Sequence, residues 1–401
     1  MELKTALKTK LFEINKVLKS KYLNNKEIGV LGGVSGVALF HFYFSELFKK
    51  KTNYDVGIEI LNSITNRINQ GYYNPTFCTG IAGFGWVIDH LVSRELIDLD
   101  ADELLINFDE YLLSVMKEDM TLGKFDFLHA GIGYAVYFHQ RFRNTKSESL
   151  KDNYKNYLLL FLNKLIDSGD VFEDRIGWKT KFDSQDHTYD LSLSHGASSI
   201  VCFLVKLSHI PDFKQSALDI LRKAVDFIRF YKLNKTNTIS IYPNSSMESE
   251  KKQKPTRLAW CYGDLGVALA FYKAGNSLND KYLISESLFL VKNTLKRKSA
   301  ISTGVIDADL CHGAFGNALM YNFFYQEFKD FEFKRASEYW CDFGLNLAGN
   351  DRDNAGFKHW SGDSEGWTSN LTILEGISGI GLSIISFIAD EDFDWYECLL
   401  I

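Results

Sequence analysis

The chain has 401 residues, of which 46% are hydrophobic and 24% charged, so it is long enough to bury a large core. Its 45 basic and 51 acidic residues give a net charge of −6, which argues against a protein that binds nucleic acid or an anionic membrane. Six dispersed cysteines do not suggest a disulfide framework, and we find neither a signal sequence nor an apolar run of membrane-spanning length. We therefore expect a cytoplasmic protein.

One sequence unit recurs seven times along the chain. In each unit two small residues, three positions apart, open an apolar run of helical length, and a helix that is apolar on every face is a buried helix. The pairs are Gly33/Gly36, Gly80/Gly83, Ala130/Gly133, Gly196/Ser199, Gly263/Gly266, Gly313/Gly316 and Gly376/Gly379. The predicted buried helices are Val37–Phe48, Phe84–Val92, Tyr134–Phe142, Ile200–Leu207, Val267–Tyr272, Asn317–Phe328 and Ile380–Ile388.

Seven further segments alternate with these runs and carry apolar residues on one side only, which predicts amphipathic helices. They are Leu3–Ser20, Val56–Gln70, Asp102–Lys117, Ser149–Ile166, the segment that contains Leu218, Leu221, Val225 and Ile228, Tyr282–Lys298, and Lys334–Leu347. We predict an all-α fold in which seven inner and seven outer helices form a closed ring. An open α-solenoid that serves as a scaffold is the alternative.

Three polar stretches are longer than the repeat needs, and we interpret them as loops around one rim of the ring. They are Asp167–Leu191, Lys232–Lys254 and Asn350–Thr372. The only strand signal is a weak one at Thr238–Tyr242.

Chemically reactive residues concentrate at two positions of the repeat. We call the residue directly before the first small residue position −1, and the residue before that position −2. Position −1 holds Gly32, Thr79, His129, His195, Tyr262, His312 and Glu375. Position −2 holds Leu31, Cys78, Leu128, Ser194, Cys261, Cys311 and Leu374. Because equivalent positions converge in a ring, these side chains are the candidates for an active site.

Cys261, Cys311 and His312 belong to consecutive repeats, and two thiols with an imidazole suit zinc better than magnesium or calcium. Three protein ligands would leave a fourth position open for a substrate. Buried structural cysteines remain the alternative on spacing alone. Cys78 lies three repeats earlier, so we interpret it as a small buried hydrophobic residue.

For three other residues close to these positions, the sequence allows either a role in the active site or a purely structural role. Asp126 and Arg257 lie just upstream of a small-residue pair, where either could form a structural salt bridge. His129 is a candidate for a capping or core role as well as for catalysis.

Four motifs together make the sequence similar to the LanC-type lanthionine cyclases, and the resemblance covers all seven repeats. The motifs are Trp260-Cys-Tyr-Gly-Asp-Leu-Gly266, Cys311-His-Gly313, Ser194-His-Gly196 and Leu374-Glu-Gly-Ile-Ser-Gly-Ile380. The resemblance implies an α/α toroid of seven inner and seven outer helices and the addition of a peptide Cys thiol to dehydroalanine or dehydrobutyrine. It implies that Cys261, Cys311 and His312 hold one Zn²⁺ per chain, and that His195, Asp126, Arg257 and Tyr262 are the other active-site residues. The implied partners are a dehydrated precursor peptide and a cognate dehydratase.

The sequence departs from the family pattern in the third repeat, which reads His129-Ala-Gly-Ile-Gly133 where the family has Glu-Gly-x-x-Gly. The short interval between the second and third repeats leaves no room for an inserted domain, so we predict one toroid domain over residues 1–401. Three alternatives remain. They are a prenyltransferase-like α/α barrel, whose zinc set would be Asp-Cys-His, a LanC-like enzyme that adds glutathione to dehydrated residues, and a non-catalytic helical peptide-binding protein.

Overall fold

Helices dominate the computed structural model, which describes residues 2–22, 25–179, 188–233, 239–246, 256–350, 353–390 and 393–401. Within these residues fourteen helices have twelve residues or more, and one short helix, α12, precedes α13. The helices are α1 (Glu2–Lys21), α2 (Val34–Phe48), α3 (Lys51–Asn69), α4 (Ile81–Ser93), α5 (Ala101–Thr121), α6 (Gly131–Asn144), α7 (Glu148–Ser168), α8 (Ala197–Ser208), α9 (Lys214–Phe230), α10 (Asp264–Leu278), α11 (Lys281–Thr294), α12 (Ala300–Thr303), α13 (Ala314–Phe328), α14 (Phe331–Asn346) and α15 (Ile377–Ile388).

Buried and amphipathic helices alternate along the chain, as the sequence predicted. In α2 every residue from Val34 to Phe44 is buried, whereas the following helix, α3, buries only five of its nineteen residues. Helices α4, α6, α8, α10, α13 and α15 resemble α2, and the remaining long helices resemble α3. The all-α prediction and the assignment of seven helices to each class are therefore confirmed.

The small-residue pairs define where the seven buried helices begin. The first member of each pair is the N-cap residue, and none of these caps supplies a side-chain hydrogen bond. The second member lies against the loop: a Cβ on Gly36, Gly316 or Gly379 would collide with the carbonyl oxygen of the residue six positions earlier. In the fourth repeat this position is Ser199, whose hydroxyl donates a hydrogen bond to the Gly196 carbonyl at 2.7 Å.

Replacing Gly379 with alanine is expected to lower the free energy of unfolding by about 1–3 kcal/mol, the usual cost of overpacking. The added Cβ would meet the backbone of Ile373, which cannot move aside as a flexible side chain can. Gly349→Ala is the matched control, because its Cβ would lie 3.7 Å from the nearest heavy atom, the Gly356 carbonyl oxygen. Urea denaturation measures both, and equal unfolding midpoints would contradict the packing role of Gly379.

The chain divides into two compact units. The first comprises Met1–Leu99, Val305–Leu399 and Ile401, and the second comprises Asp100–Gly304 and Leu400. The interpretation of residues 1–401 as one toroid domain stays a prediction.

Within each unit the loops before the buried helices are joined by backbone hydrogen bonds at position −2. In the first unit the Cys311 N–H donates to the Leu374 carbonyl at 2.8 Å, and the Leu374 N–H donates to the Leu31 carbonyl at 3.1 Å. The Leu31 N–H donates in turn to the Cys78 carbonyl at 3.1 Å. The seventh repeat is thus bonded to the first, which an open solenoid would not allow. In the second unit the Ser194 N–H donates to the Cys261 carbonyl at 3.3 Å.

Two short antiparallel hairpins lie in stretches that we predicted as loops. Strands β1 (Asp170–Phe172) and β2 (Arg175–Gly177) form one, and β3 (His359–Trp360) and β4 (Trp367–Thr368) form the other. The weak strand signal at Thr238–Tyr242 was wrong for residues 239–242, which form no strand, and Thr238 lies outside the described residues. Parts of the three predicted rim loops, residues 180–187, 234–238, 247–254 and 351–352, also lie outside them.

Candidate active site

A histidine–aspartate pair occupies the second unit. His195 directly precedes the N-cap residue of α8, and Asp126 lies in the loop between α5 and α6. The distance from Nδ1 of His195 to Oδ2 of Asp126 is 2.5 Å. Oδ1 of Asp126 accepts the backbone N–H of His129 at 2.6 Å, and the His195 N–H donates to the Ser192 hydroxyl at 3.0 Å. Both carboxylate oxygens are engaged, so the carboxylate holds the imidazole of His195 in one orientation.

The environment of this pair favours the protonated imidazole of His195. Burial lowers the pKa of His195, but the hydrogen bond and charge of Asp126 outweigh it, together with the charges of Asp190 and Cys261. The net result is a pKa above the ordinary value, so His195 can keep a proton to donate near neutral pH. The backbone carbonyl of Cys261 accepts the N–H groups of Leu193 and Ser194, at 3.0 and 3.3 Å, so this predicted metal ligand adjoins the loop that carries His195.

His129, which the sequence left between catalysis and a structural role, lies beside the pair. Its ring is nearly parallel to that of His195, with centroids 6.4 Å apart. Burial lowers the pKa of His129, and the neighbouring His195 lowers it further against the opposing effect of Asp126. A neutral His129 is the weaker proton donor of the two.

Tyr262 and a cavity complete the surroundings of His195. The ring centroid of Tyr262 lies 6.2 Å from that of His195. A cavity of about 250 Å³ is bordered by Asp126, His129 and His195, and by Phe125 and Trp178 among other residues. The proton-donating pair is therefore accessible from a pocket within this unit.

Among the described residues, Arg257 does not form the structural salt bridge that the sequence left open. Within the described part of the chain its guanidinium makes no ion pair or hydrogen bond. Its side chain runs along Gly304, where an added Cβ would lie 3.2 Å from Cγ of Arg257. The guanidinium charge is therefore not neutralised by a described carboxylate.

Cys311 and His312 lie in the first unit, directly before the N-cap residue of α13. The backbone N–H of His312 donates to Oδ1 of Asp309 at 3.0 Å. Nε2 of His312 faces two carboxylates, at 3.7 Å from Oδ2 of Asp307 and 3.6 Å from Oδ2 of Asp309. This loop therefore holds the backbone of His312, and the Nε2 edge of the His312 ring lies near two negative charges.

His359 is a buried residue of this neighbourhood that the sequence analysis missed. Its Nδ1 lies 2.6 Å from Oδ2 of Asp309, and its ring centroid lies 5.3 Å from that of His312. His359 lies outside the repeat positions, in a polar loop, so periodicity could not find it. The sequence did carry a signal for its partner Asp309. An Asp three residues before His312 commonly accepts a backbone N–H in a turn, which marks Asp309 as a residue of this loop's structure.

The surroundings of Asp307 disfavour the charged form of its carboxylate. Burial and the charge of Asp309 raise the pKa of Asp307 to about 6. Oδ2 of Asp307 accepts the Trp360 N–H at 3.2 Å, but its buried Oδ1 has no hydrogen-bond partner among the described residues. An additional positive charge in this neighbourhood would relieve that cost.

Within the first unit, one group of described side chains could hold a metal ion. It consists of Asp307, Asp309, His312 and His359, whose donor atoms lie within 4.8 Å of one another. Two thiols and an imidazole are the donor set that suits zinc, so the chemistry of Cys261, Cys311 and His312 fits the metal, and their assignment as its ligands stays a prediction. All six cysteines are free thiols, and Cys78 has 6% of its surface exposed.

A family model for lanthionine synthetase C-like proteins matches residues 26–400, nearly the whole chain. The chain belongs to this family. Among LanC-like relatives, nisin biosynthesis protein NisC from Lactococcus lactis subsp. lactis is 24% identical over 220 residues, which cover 53% of this chain and 48% of that protein. The match thus spans about half the length of that relative.

The fold of this LanC-like chain is that of a solved nisin cyclase. The two structures match with a TM-score of 0.74 at 18% sequence identity, over 100% of this chain and 97% of that chain. This match confirms the predicted α/α toroid. Among the described helices, none combines the length and the apolar character that a membrane crossing requires.

Proposed function

We propose that this protein is a zinc-dependent lanthipeptide cyclase. It would add peptide Cys thiols to dehydroalanine or dehydrobutyrine and so form lanthionine and methyllanthionine thioether rings. The observation that best supports this function is the half-buried His195–Asp126 pair, a proton donor with an orienting carboxylate in a LanC-like chain.

Cys261, Cys311 and His312 would hold one Zn²⁺ per chain. When bound, zinc supplies the charge that keeps a peptide Cys as thiolate, whereas a free thiol with a pKa near 8.5 is only a few per cent thiolate at pH 7. The soft donor set of the three residues supports this assignment.

The remaining residues would complete the addition. The thiolate sulfur forms a bond to the β carbon of the dehydro residue, and the electron pair of the double bond moves towards the carbonyl as an enolate. Nε2 of His195 then gives a proton to the α carbon, while Asp126 holds the Nδ1 side of the ring. Arg257 cannot give up a proton, so it offsets the negative charge of the enolate, and Tyr262 orders the substrate beside His195. The thiol proton lost and the proton gained balance, so ring closure is an isomerisation.

The proposed substrate is the dehydrated precursor peptide, in the cytoplasm and with a cognate dehydratase as partner. The stretches Asp167–Leu191 and Asn350–Thr372 would govern which peptide is processed. Each carries one of the two hairpins, and the second exposes 49% of the Trp367 surface beside the half-buried Trp360.

Incubation of the zinc-loaded protein with a dehydrated, Cys-containing peptide tests this function. We expect the number of thiols that can be alkylated to fall while the peptide mass before alkylation stays constant. A mass increase that depends on added glutathione would favour the glutathione-adding alternative. Peptide binding with no loss of thiols would favour the non-catalytic helical protein.

A further inference from the structure

A buried guanidinium in the second unit has no part in the proposed chemistry. Arg297 follows the end of α11 and exposes 1% of its surface, and Asp264 beside it exposes 0%. Nη1 of Arg297 lies 3.6 Å from Oδ2 of Asp264, so the two opposite charges form an ion pair inside the core. A guanidinium is tolerated away from water only where charges and hydrogen bonds replace its hydration. The hydrogen bonds that Arg297 donates therefore show which part of the chain it holds.

Arg297 donates to two carbonyl groups in different segments. Its Nη2–H donates to the carbonyl oxygen of Thr256, and its Nε–H donates to that of Ser302 at 2.8 Å. A planar guanidinium can span two acceptors in this way because its N–H groups point in fixed directions. One side chain thus joins Thr256 to the short helix α12.

A backbone hydrogen bond joins the same two segments on the other side of Arg257. The Leu258 N–H donates to the Thr303 carbonyl at 2.7 Å, so the residues before and after Arg257 are both bonded to residues 297–303. The side chain of Arg257 follows this segment as well. A Cβ on Gly304 would lie 3.2 Å from Cγ and 3.5 Å from Nε of Arg257. Both the backbone and the side chain of Arg257 are therefore placed by the end of α11 and by α12.

Gly304 suits this contact for two reasons. It ends α12 in the left-handed conformation, with a φ of 70°, which glycine adopts without the steric cost that other residues incur. It also has no side chain, which leaves room for the aliphatic part of Arg257 to pass close to the backbone. Any other residue at this position would press against that side chain.

We propose that Arg297 and Gly304 are positioning residues that together hold the guanidinium of Arg257 in its orientation for ring closure. This inference rests on the proposed function, in which Arg257 offsets the negative charge of the enolate. A charge that is fixed in place before the reaction stabilises the transition state without reorganisation at that moment. An arginine side chain has many rotamers, so holding it in one of them requires support from its surroundings.

Arg297→Lys tests the buried guanidinium on the zinc-loaded, full-length protein. Lysine keeps a positive charge beside Asp264 but cannot span the carbonyls of Thr256 and Ser302. We expect kcat for ring closure, measured by counting alkylatable thiols, to fall about 10–100-fold, since small displacements of a group that acts in the transition state have effects of this size. KM for the dehydrated peptide should stay close to the wild-type value, because the lost interaction is made only in the transition state.

A double-mutant cycle separates positioning from a general loss of structure. Arg257→Gln removes the guanidinium and is expected to lower kcat about 10²–10³-fold, the usual effect of losing a group that stabilises charge in the transition state. If Arg297 acts through Arg257, adding Arg297→Lys to Arg257→Gln should lower kcat no further. Losses that multiply in the double variant would show that Arg297 acts in another way, and they would overturn the inference.

Gly304→Ala tests the contact with the side chain of Arg257 and leaves the buried ion pair intact, so it decides the matter if Arg297→Lys does not fold. It should lower kcat about 10-fold, and it should have no further effect in Arg257→Gln. Gly71→Ala is the matched control. Gly71 also has a positive φ, of 99°, but beyond its chain neighbours an added Cβ would have no heavy atom within 4 Å. Equal rates in the two alanine variants would contradict the role of Gly304.

Hydrogen exchange at the Leu258 amide gives a readout that needs no catalysis. This N–H donates to the Thr303 carbonyl, so it should exchange faster in Arg297→Lys than in the wild type, while circular dichroism shows that the helix content is kept. Unchanged exchange would overturn the inference. That result, like multiplying losses in the cycle, leaves the proposed cyclase intact. A wild-type chain that closes no rings would instead overturn the proposed function and this inference together.

Discussion

Ring closure by His195→Asn is expected to be about 10²–10⁴-fold slower than by the wild type, the usual contribution of a positioned proton donor. Asparagine keeps a polar side chain opposite Asp126 but cannot donate a proton from the position of Nε2. Zinc content and fold should stay unchanged, because His195 lies outside the proposed ligand set. The rate is measured by counting alkylatable thiols over time, since the reaction does not change the peptide mass.

His129→Asn is the natural comparison for this variant. The two rings are stacked, but the pKa of His129 is lowered where that of His195 is raised, so we expect a much smaller loss of rate. A near wild-type rate in His195→Asn would mean that the proton comes from another group, with His129 next in line. Loss of zinc in His195→Asn would instead make His195 a metal ligand and contradict the proposed set.

Cys261→Ala is expected to lose most of its zinc and its cyclase activity, because two ligands cannot retain the metal against its hydration. Elemental analysis after reconstitution and dialysis measures the metal content, with one zinc per wild-type chain as reference. Unchanged zinc in Cys261→Ala would refute the site.

Cys78→Ala provides the control for position −2. Cys78 occupies the same repeat position as Cys261, is buried, and lies outside the proposed ligand set. Its replacement should leave zinc content at the wild-type level. Zinc loss in this variant would mean that repeat position does not separate ligands from core cysteines.

Periodicity predicted the helices because each is long enough to repeat its pattern several times. Each buried helix begins three residues before its predicted start, because the first small residue of every repeat is the N-cap and the helix already includes the second. The hairpins were missed because strands of two or three residues, such as His359–Trp360, are too short to show an alternation. A hairpin that is held by neighbouring loops needs no strong strand propensity of its own.

Within the candidate site, sequence reasoning succeeded where the repeat applies. His195 and Tyr262 share position −1 in successive repeats, and their rings are neighbours in the second unit. Asp126 was assigned through family resemblance, and its contact with His195 joins residues 69 positions apart. His359 lies 50 positions from Asp309 and outside every repeat position, so only tertiary structure reveals that contact.

The hydrogen bonds that join the position −2 loops run from main chain to main chain. Mutation of a side chain does not remove such a bond. Substitution of Leu31, Cys78 or Leu374 therefore leaves the geometry of the loops largely unchanged. Catalytic groups can therefore be gained, lost or exchanged at these positions over evolutionary time without refolding the protein. Such tolerance agrees with the match to nisin cyclase, which extends over the full length of this chain at 18% identity. For enzyme engineering, the six position −2 sites that take part in these bonds are natural points at which to install new donor groups.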